Sequence, residues 1–204
     1  MAKWQVNLTF TEEILGTLAG KPDVATDFIL SKRPDGVAED EAAALLLNEE
    51  EALQNATTLF ARNSAGQPIL WDYQIKGFFK DACGMSRRVE GSASSKEKAY
   101  KKVIDGLIFV SPRHFPIILP SGMSLGLCER PLRARTAQGE RIALARSETC
   151  PVGSTIEFTV MAMIATATAE RLLKEWFDYG SLRGLGQWRN GGKGTFSYKI
   201  SLVE

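Results

Sequence analysis

The chain has 204 residues, of which 44% are hydrophobic and 24% charged, a composition typical of one globular domain that folds without disulfides. Met1 leads directly into an alternating segment, so we expect no secretory leader, and no apolar run is long enough to predict a membrane span. Cys83, Cys128 and Cys150 lack C-x-x-C spacing, which predicts reduced thiols in a cytoplasmic protein and argues against structural zinc. We expect no metal and no cofactor.

The formal net charge of +1 at pH 7 is unevenly distributed along the chain. Residues 1–60 contain four Lys/Arg and eleven Asp/Glu, a net charge of −7. Residues 61–204 contain twenty-one basic and thirteen acidic residues, a net charge of +8. Such a division is typical of a protein that binds polyanions with one surface, or that packs head to tail on copies of itself. A mixed, solvated surface is the alternative.

Periodicity predicts six main elements. Three segments alternate apolar with polar residues, which predicts strands with one buried face, and an apolar run predicts a fourth strand. Two further segments carry apolar residues three and four positions apart, on one side of a helix. In chain order the elements are strand 4–10, helix 72–85, strand 107–111, strand 153–163, helix 168–179 and strand 195–203. With right-handed crossovers, this β-α-β-β-α-β order predicts an α+β, ferredoxin-like (RRM-like) fold whose helices cover one face of an antiparallel sheet.

The helix boundaries are predicted from capping residues. Asp72 is the expected N-cap of the first helix and Thr168 that of the second, because short polar side chains bond the free amides there. Gly180 is the expected residue just beyond the end of the second helix. A shorter helix is predicted over 94–105, since it begins with the capping box Ser94-Ser-Lys-Glu.

Two insertions interrupt this core, so the chain is predicted to be a single domain over 1–204 with additions at about 11–70 and 112–150. The first is acidic, and Glu12 and Glu13 are predicted to belong to a solvated helix face. Its predicted elements are helices at 12–19, 22–30 and 40–54 and a short strand at 57–62.

The second insertion is predicted to be a basic β-hairpin arm. Its arginines include Arg130, Arg133, Arg135 and Arg141. Residues two apart in a strand share a face, so the charges of Arg133 and Arg135 would reach successive phosphates of a nucleic acid. Arginines that only solvate an exposed hairpin are the alternative.

A glycine-rich segment separates the second helix from the last strand, with six glycines in the fifteen residues 180–194. Glycine accepts positive φ and has no Cβ, so its main-chain amides can approach another molecule closely. Arg183, Arg189 and Lys193 add charge, and Trp188 adds a face on which a base can stack. The segment is therefore predicted to bind phosphates, a plain helix-to-strand connection being the alternative.

The spacing Gly184-x-Gly186, five residues, Gly192-x-Gly194 resembles the glycine-rich loop of the RAMP superfamily, the RNA-binding proteins of CRISPR complexes. The insertion between the second and third core strands also resembles the thumb hairpin of their backbone subunits. The resemblance implies that these four glycines form that loop and that the chain binds RNA. Lys193 departs from the family, which usually has an apolar residue there. The small single domain also resembles proteins of phages and prophages.

His114, the only histidine, is the one candidate catalytic residue. Metal-independent ribonucleases of the resembling superfamily often use a histidine as general acid or base, which would be the role implied for His114. A histidine followed by Phe115 and Pro116 is also typical of a packing residue. The sequence contains no catalytic triad and no Walker loop, so a non-catalytic protein is favoured.

Together these features favour a RAMP-like protein that binds RNA, or another single-stranded nucleic acid, as part of a CRISPR-like or phage ribonucleoprotein. A second interpretation is an assembly protein that forms homo-oligomers through acidic-to-basic contacts. The third is a metal-independent endoribonuclease that uses His114. We expect self-association or a larger complex, and no membrane partner.

Overall fold

The computed structural model is an α+β structure with three α-helices and eleven strands among the described residues. It describes the backbone of residues 1–18, 57–136 and 139–203, and the side chains of these residues other than 132–144. In chain order the elements are β1 (Ala2–Phe10), β2 (Ile14–Leu15), β3 (Thr57–Thr58), β4 (Ala61–Arg62), β5 (Pro68–Trp71), α1 (Asp72–Ser86), a 3-10 turn (Ser94–Lys96), α2 (Tyr100–Leu107), β6 (Ile108–Ser111), β7 (His114–Pro116), β8 (Gly126–Thr136), β9 (Gly139–Cys150), β10 (Thr155–Ala162), α3 (Thr166–Arg183), a 3-10 turn (Arg189–Gly191) and β11 (Phe196–Leu202).

The main sheet has the strand order β11-β1-β10-β6, and every neighbouring pair is antiparallel. Alternation along β1 and β10 buries one face, where Val6, Leu8 and Val160 have no exposed surface. The opposite face is polar and partly exposed: Gln5 donates to Glu157 over 2.7 Å and accepts from Thr159 over 3.1 Å. The four strands predicted for the core are all confirmed, within two residues at their ends.

Helices α1 and α3 pack on the buried face through aromatic side chains. Phe79 of α1 lies 5.2 Å from Trp176 of α3, measured between ring centroids. Phe78 and Phe177 both contact Phe196 of β11, at 5.8 and 6.5 Å. Both predicted helices are therefore confirmed as core elements, and they bury the residues that their apolar spacing singled out.

The helix boundaries differ from the capping predictions. The N-cap positions are Trp71 and Ala165, so Asp72 is the first residue of α1 and Thr168 lies inside α3. Gly180 does not follow the helix, because α3 continues to Arg183. A Cβ on Gly180 would lie 2.5 Å from the Phe196 ring and 2.6 Å from the Phe78 ring, so this glycine permits close packing.

The predicted helix over 94–105 is replaced by a 3-10 turn and the shorter helix α2. The prediction of a capping box is wrong, because the carboxylate of Glu175 in α3 accepts hydrogen bonds from the amides of Ala93 and Ser94, over 2.6 and 3.1 Å. The Ser94 hydroxyl accepts from the Trp176 indole over 3.0 Å. A long-range contact thus takes the groups that the capping box would have used.

Two smaller sheets complete the fold. One has the order β4-β5-β7, and the other the order β2-β9-β3 with β8 paired to β9. Strands β8 and β9 form the predicted hairpin, which we call the basic hairpin. The predicted helix at 12–19 is wrong where it is described, since Ile14 and Leu15 form strand β2. The predicted strand at 57–62 is two short strands, and the helices predicted at 22–30 and 40–54 lie outside the described residues.

All three cysteines are free thiols. Cys83 and Cys150 are buried, and burial raises the pKa of each thiol above its ordinary value. Among the helices that the structure describes, none is long and apolar enough to cross a membrane.

Candidate nucleic-acid interface

Residues 184–195, which we call the glycine-rich loop, connect α3 to β11. Gly184 caps the helix with a φ of 82°, and its amide donates to the Gly180 carbonyl over 2.8 Å. The two ends of the loop are joined where the Leu185 amide donates to the Gly194 carbonyl over 2.9 Å. The Gly194 amide donates to the Glu13 carbonyl over 2.8 Å, which ties the loop to the segment after β1.

The glycines of the loop do not share one role. A Cβ on Gly184 would lie 2.3 Å from the Lys193 carbonyl oxygen, and a Cβ on Gly194 would lie 2.0 Å from that of Leu185. A Cβ on Gly186 would meet Ile14 at 3.2 Å. Gly192 is exposed, has a φ of 80°, and no described residue has an atom within 4 Å of its Cβ position. Its amide donates to the Arg189 carbonyl over 3.0 Å, so Gly192 presents bare backbone at the surface, whereas Gly184 and Gly194 close the loop.

The basic side chains of the loop have partners within the protein. Arg189 pairs with Asp81 of α1 over 2.6 Å. Lys193 pairs with Glu13 over 3.2 Å and with Glu12 over 3.7 Å. Burial lowers the pKa of Lys193, but its hydrogen bond to Glu13 and the two carboxylate charges outweigh this and leave the pKa above its ordinary value. Glu12 and Glu13 thus contact the loop rather than lie on a solvated helix face, which corrects the prediction.

Half-buried Arg183, the last residue of α3, donates to the side-chain carbonyl of Asn190 in the loop. Because Asn190 is neutral, this contact orients the guanidinium but is not an ion pair.

Arg130, near the base of the basic hairpin, packs against the loop. Its guanidinium carbon lies 4.8 Å from the centroid of the Trp188 ring, and its Nη2 donates to Gln187 over 3.3 Å. Only 9% of Arg130 is exposed, whereas Trp188 is 41% exposed. The Nε and Nη1 atoms of Arg130 donate no hydrogen bond to any described residue. A buried guanidinium with two idle donors is costly unless an acceptor reaches it.

The backbone around this contact is fixed by further bonds. Gln187 donates through Nε2 to the Gly16 carbonyl over 3.0 Å, so the amide that receives Arg130 is itself held. Trp188 adopts a left-handed conformation with a φ of 51°, which is uncommon for a bulky residue. Such strain persists only where surrounding contacts enforce it, and it presents the indole beside Arg130.

The other hairpin arginines are placed by their strands alone. Arg133 lies opposite Ile142, Arg135 opposite Glu140 and Arg141 opposite Ala134 in the β8–β9 register. Their side chains lie outside the described residues, so a role for them in phosphate binding stays a prediction.

His114 lies in strand β7, which pairs with β5 in a different sheet from that of the basic hairpin. Its imidazole packs edge to face on Trp71, 5.4 Å between centroids. Tyr73 stacks on the same tryptophan at 6.3 Å. This is the geometry of a half-buried packing residue, and a catalytic role for His114 stays a prediction. In the part of the chain with described side chains, no group of three His, Cys, Asp or Glu residues could hold a metal ion.

Sequence reasoning did not identify Asp81, Gln187 or the buried state of Arg130 as parts of this site. Asp81 is 108 residues from its partner Arg189, and Arg130 is 57 residues from Gln187. A sequence carries no local signal for contacts at such separations.

No known protein family and no curated protein matches this sequence. One similar solved structure is a chain of "Cryo-EM structure of the Type III-B Cmr-beta bound to cognate target RNA", with a TM-score of 0.54 and 12% identity. That match covers 100% of this chain and 61% of the other, so this chain spans about 61% of that chain's length. A chain of a "Type IV-B CRISPR Complex" matches with a TM-score of 0.46 and 13% identity, over 98% of this chain and 90% of the other. The first match shows that this α+β fold is similar to one found in the Type III-B Cmr-beta structure.

Proposed function

We propose that this protein is a RAMP-like, non-catalytic subunit of an RNA-containing complex, and that it binds the backbone of single-stranded RNA between the glycine-rich loop and the base of the basic hairpin. The observation that carries the proposal is Arg130, a buried guanidinium with two unused donors beside a half-exposed tryptophan. Phosphate oxygens are the acceptors that a guanidinium binds best, and an indole face stacks on a base.

The surrounding groups suit the same ligand. Exposed Gly192 lets a ligand approach the backbone closely because it has no Cβ, and the Arg183 guanidinium lies at the end of α3. A phosphate, an unpaired base and a sugar repeat at short intervals along a single strand, so one strand can contact the exposed backbone, the Arg130 guanidinium and the indole together. The similar fold in a structure bound to cognate target RNA supports RNA over other polyanions.

The proposal extends to the architecture. The strand order β11-β1-β10-β6, with α1 and α3 on one face, is the arrangement expected of a ferredoxin-like core. The segments at 11–70 and 112–150 are then insertions into a single cytoplasmic domain. Self-association, and an origin in a phage or prophage, are further parts of the proposal.

The test is the salt dependence of RNA binding. We expect wild-type protein to bind a fluorescent single-stranded RNA with a log–log salt slope of about −0.7 per phosphate contacted. Arg130→Gln should lower the affinity by roughly ten- to a hundredfold, since a charge-assisted hydrogen bond contributes about 1.5–3 kcal/mol. The melting temperature of Arg130→Gln should not fall, because the substitution removes a buried charge with idle donors.

Arg171→Gln is the matched control, because Arg171 is an exposed arginine of α3. It should reduce RNA affinity by much less than Arg130→Gln does. If Arg130→Gln instead lowers the melting temperature and leaves RNA affinity unchanged, Arg130 serves packing and the proposed interface is wrong.

A further inference from the structure

A cavity of about 460 Å³ opens between α1 and the first residues of the glycine-rich loop. Its apolar wall is formed by Leu70, Phe78 and Leu185, and Arg189 lies at the side of the loop. The volume lies within the roughly 300–1,000 Å³ that small-molecule sites occupy. Arg130 and Trp188 are not among its lining residues, so the cavity is separate from the interface described above.

The polar part of the cavity is basic. Lys76, Lys80 and Arg189 line it; Lys80 pairs with Asp105 over 2.5 Å and Arg189 with Asp81 over 2.6 Å, which leaves Lys76. The Lys76 ammonium donates to the backbone carbonyl of Asp105 over 3.2 Å and lies 5.1 Å from the centroid of the Phe109 ring. It forms no ion pair with any residue in the described ranges. Burial lowers the pKa of Lys76, and the nearby carboxylates of Asp105 and Asp72 offset this only in part. The site therefore favours an anion.

Gly77 keeps the floor of the cavity open. It lies inside α1 and lines the cavity, and outside its own helix no described residue has a heavy atom within 4 Å of its Cβ position. Its φ is not in the left-handed region, so the backbone does not require glycine there. Glycine inside a helix destabilises it relative to alanine. Gly84 of the same helix differs, because a Cβ there would meet the Tyr100 hydroxyl at 3.0 Å. Neither packing nor backbone geometry explains Gly77, but an occupant of the cavity would.

We propose that this cavity binds one unpaired nucleotide, with its base against the apolar wall of Leu70, Phe78 and Leu185 and its phosphate at Lys76. A nucleotide combines the two features of the lining, a planar apolar ring and an anion, within one molecule of suitable size. Gly186 and Arg189 belong both to the loop and to the cavity, so a strand that follows the loop reaches the cavity.

The proposal rests on the proposed function where the nucleotide is part of a bound RNA strand. A free mononucleotide has the same chemistry and is the other source. The two sources are separated by three probes, namely a single-stranded RNA of mixed sequence, an abasic oligoribonucleotide of equal length, and AMP.

The main variant is Gly77→Leu, which fills the cavity from its floor without meeting another atom at the Cβ. Its control is Gly106→Leu in α2, because Gly106 is also exposed with open space around its Cβ and does not line the cavity. We expect wild-type protein to bind RNA at least about tenfold more tightly than the abasic strand. Gly77→Leu should reduce that preference to the part contributed by stacking on Trp188, while Gly106→Leu should retain it in full. The melting temperature of Gly77→Leu should equal or exceed that of wild type.

A second variant, Lys76→Met, tests the phosphate contact without changing the volume of the floor. It should weaken AMP binding by about tenfold and leave the weaker binding of adenosine unchanged. If Gly77→Leu does not fold, the AMP affinity of Lys76→Met still tests the cavity proposal.

The outcomes distinguish the two proposals. Wild-type protein that binds no RNA refutes the proposed function, and AMP binding that Gly77→Leu abolishes would then support the cavity as a site for free nucleotide. An equal preference for RNA over the abasic strand in wild type and Gly77→Leu supports the interface and overturns the cavity proposal. Absence of binding to every probe overturns both.

Discussion

Substitution of two loop glycines should separate closure of the loop from ligand binding. A Cβ on Gly194 would lie 2.0 Å from the Leu185 carbonyl oxygen, so alanine at 194 must force the two ends of the loop apart. The cost includes the left-handed backbone, about 1–2 kcal/mol, and two hydrogen bonds of about 0.5–1.5 kcal/mol each, those to Leu185 and Glu13. We therefore expect Gly194→Ala to lower the free energy of unfolding by about 2–5 kcal/mol.

Gly192 also has a positive φ, but no described residue has an atom within 4 Å of its Cβ position. Gly192→Ala should therefore cost only the left-handed strain, about 1–2 kcal/mol. Its new methyl group would lie at the exposed backbone, where we expect a phosphate to approach, so it should weaken RNA binding per folded molecule.

The assay is urea denaturation of both variants, followed by RNA binding of Gly192→Ala under conditions where it is fully folded. Equal losses of unfolding free energy in the two variants would refute the steric reasoning. Unchanged RNA affinity in Gly192→Ala would show that the exposed backbone at Gly192 does not contact the ligand.

Three further predictions concern single aromatic or titratable side chains. Trp188→Ala should reduce RNA affinity by about 1–3 kcal/mol with little loss of stability, measured by fluorescence anisotropy and thermal melting, because the indole is 41% exposed; a large stability loss with normal binding would contradict a stacking role. Wild-type protein should yield no 2′,3′-cyclic phosphate from RNA in EDTA, and metal-free cleavage that His114→Ala abolishes would overturn the non-catalytic assignment. Burial, together with the 2.6 Å hydrogen bond to Asp178, raises the pKa of Tyr198 to about 12. Because the folded protein favours the protonated phenol, Tyr198 contributes stability that is fully present below the unfolded pKa near 10. This stability is lost as the pH rises through the folded pKa of about 12. Tyr198→Phe should therefore flatten the fall in unfolding free energy over this alkaline range, and an unchanged fall would assign it to another group.

The main elements could be predicted because their signals are local. Alternation in β1 and β10, and the three- and four-residue spacing in α1 and α3, follow from which side of an element is buried. These features predicted the six main elements and their order along the chain, and the structure contains all six in that order.

The boundaries could not be predicted, because distant residues set them. Glycine at 180 has the local meaning of a helix end, but Phe78 and Phe196 require a residue without a side chain there, and α3 continues past it. Likewise Ser94 and Glu97 suggest a capping box, but Glu175 of α3 binds the amides of the turn. In both places tertiary packing outweighs the preference of a short segment.

The candidate site shows the same division. The glycines and Trp188 could be singled out from composition and spacing, whereas the state of each charge depends on partners far along the chain. Lys193 and Glu13 are 180 residues apart in sequence. Counting basic residues treats Arg130, Arg189 and Lys193 alike, although only Arg130 has a buried guanidinium without a carboxylate among the described residues.

This difference among the loop cations predicts that one carboxylate restrains RNA binding. Asp81 forms an ion pair with Arg189 over 2.6 Å, so a phosphate that binds Arg189 adds little binding free energy unless it displaces Asp81. Asp81→Asn should release Arg189, remove a negative charge from the loop and so increase RNA affinity, with the salt slope steeper by about 0.7. The control is Glu170→Gln, which removes a carboxylate paired with Lys174 over 2.8 Å on α3 and should leave RNA binding unchanged. A decrease in affinity in Asp81→Asn would mean that the ion pair orients Arg189 for the ligand, and that the pairing of charges within the loop is part of the binding geometry rather than a restraint on it.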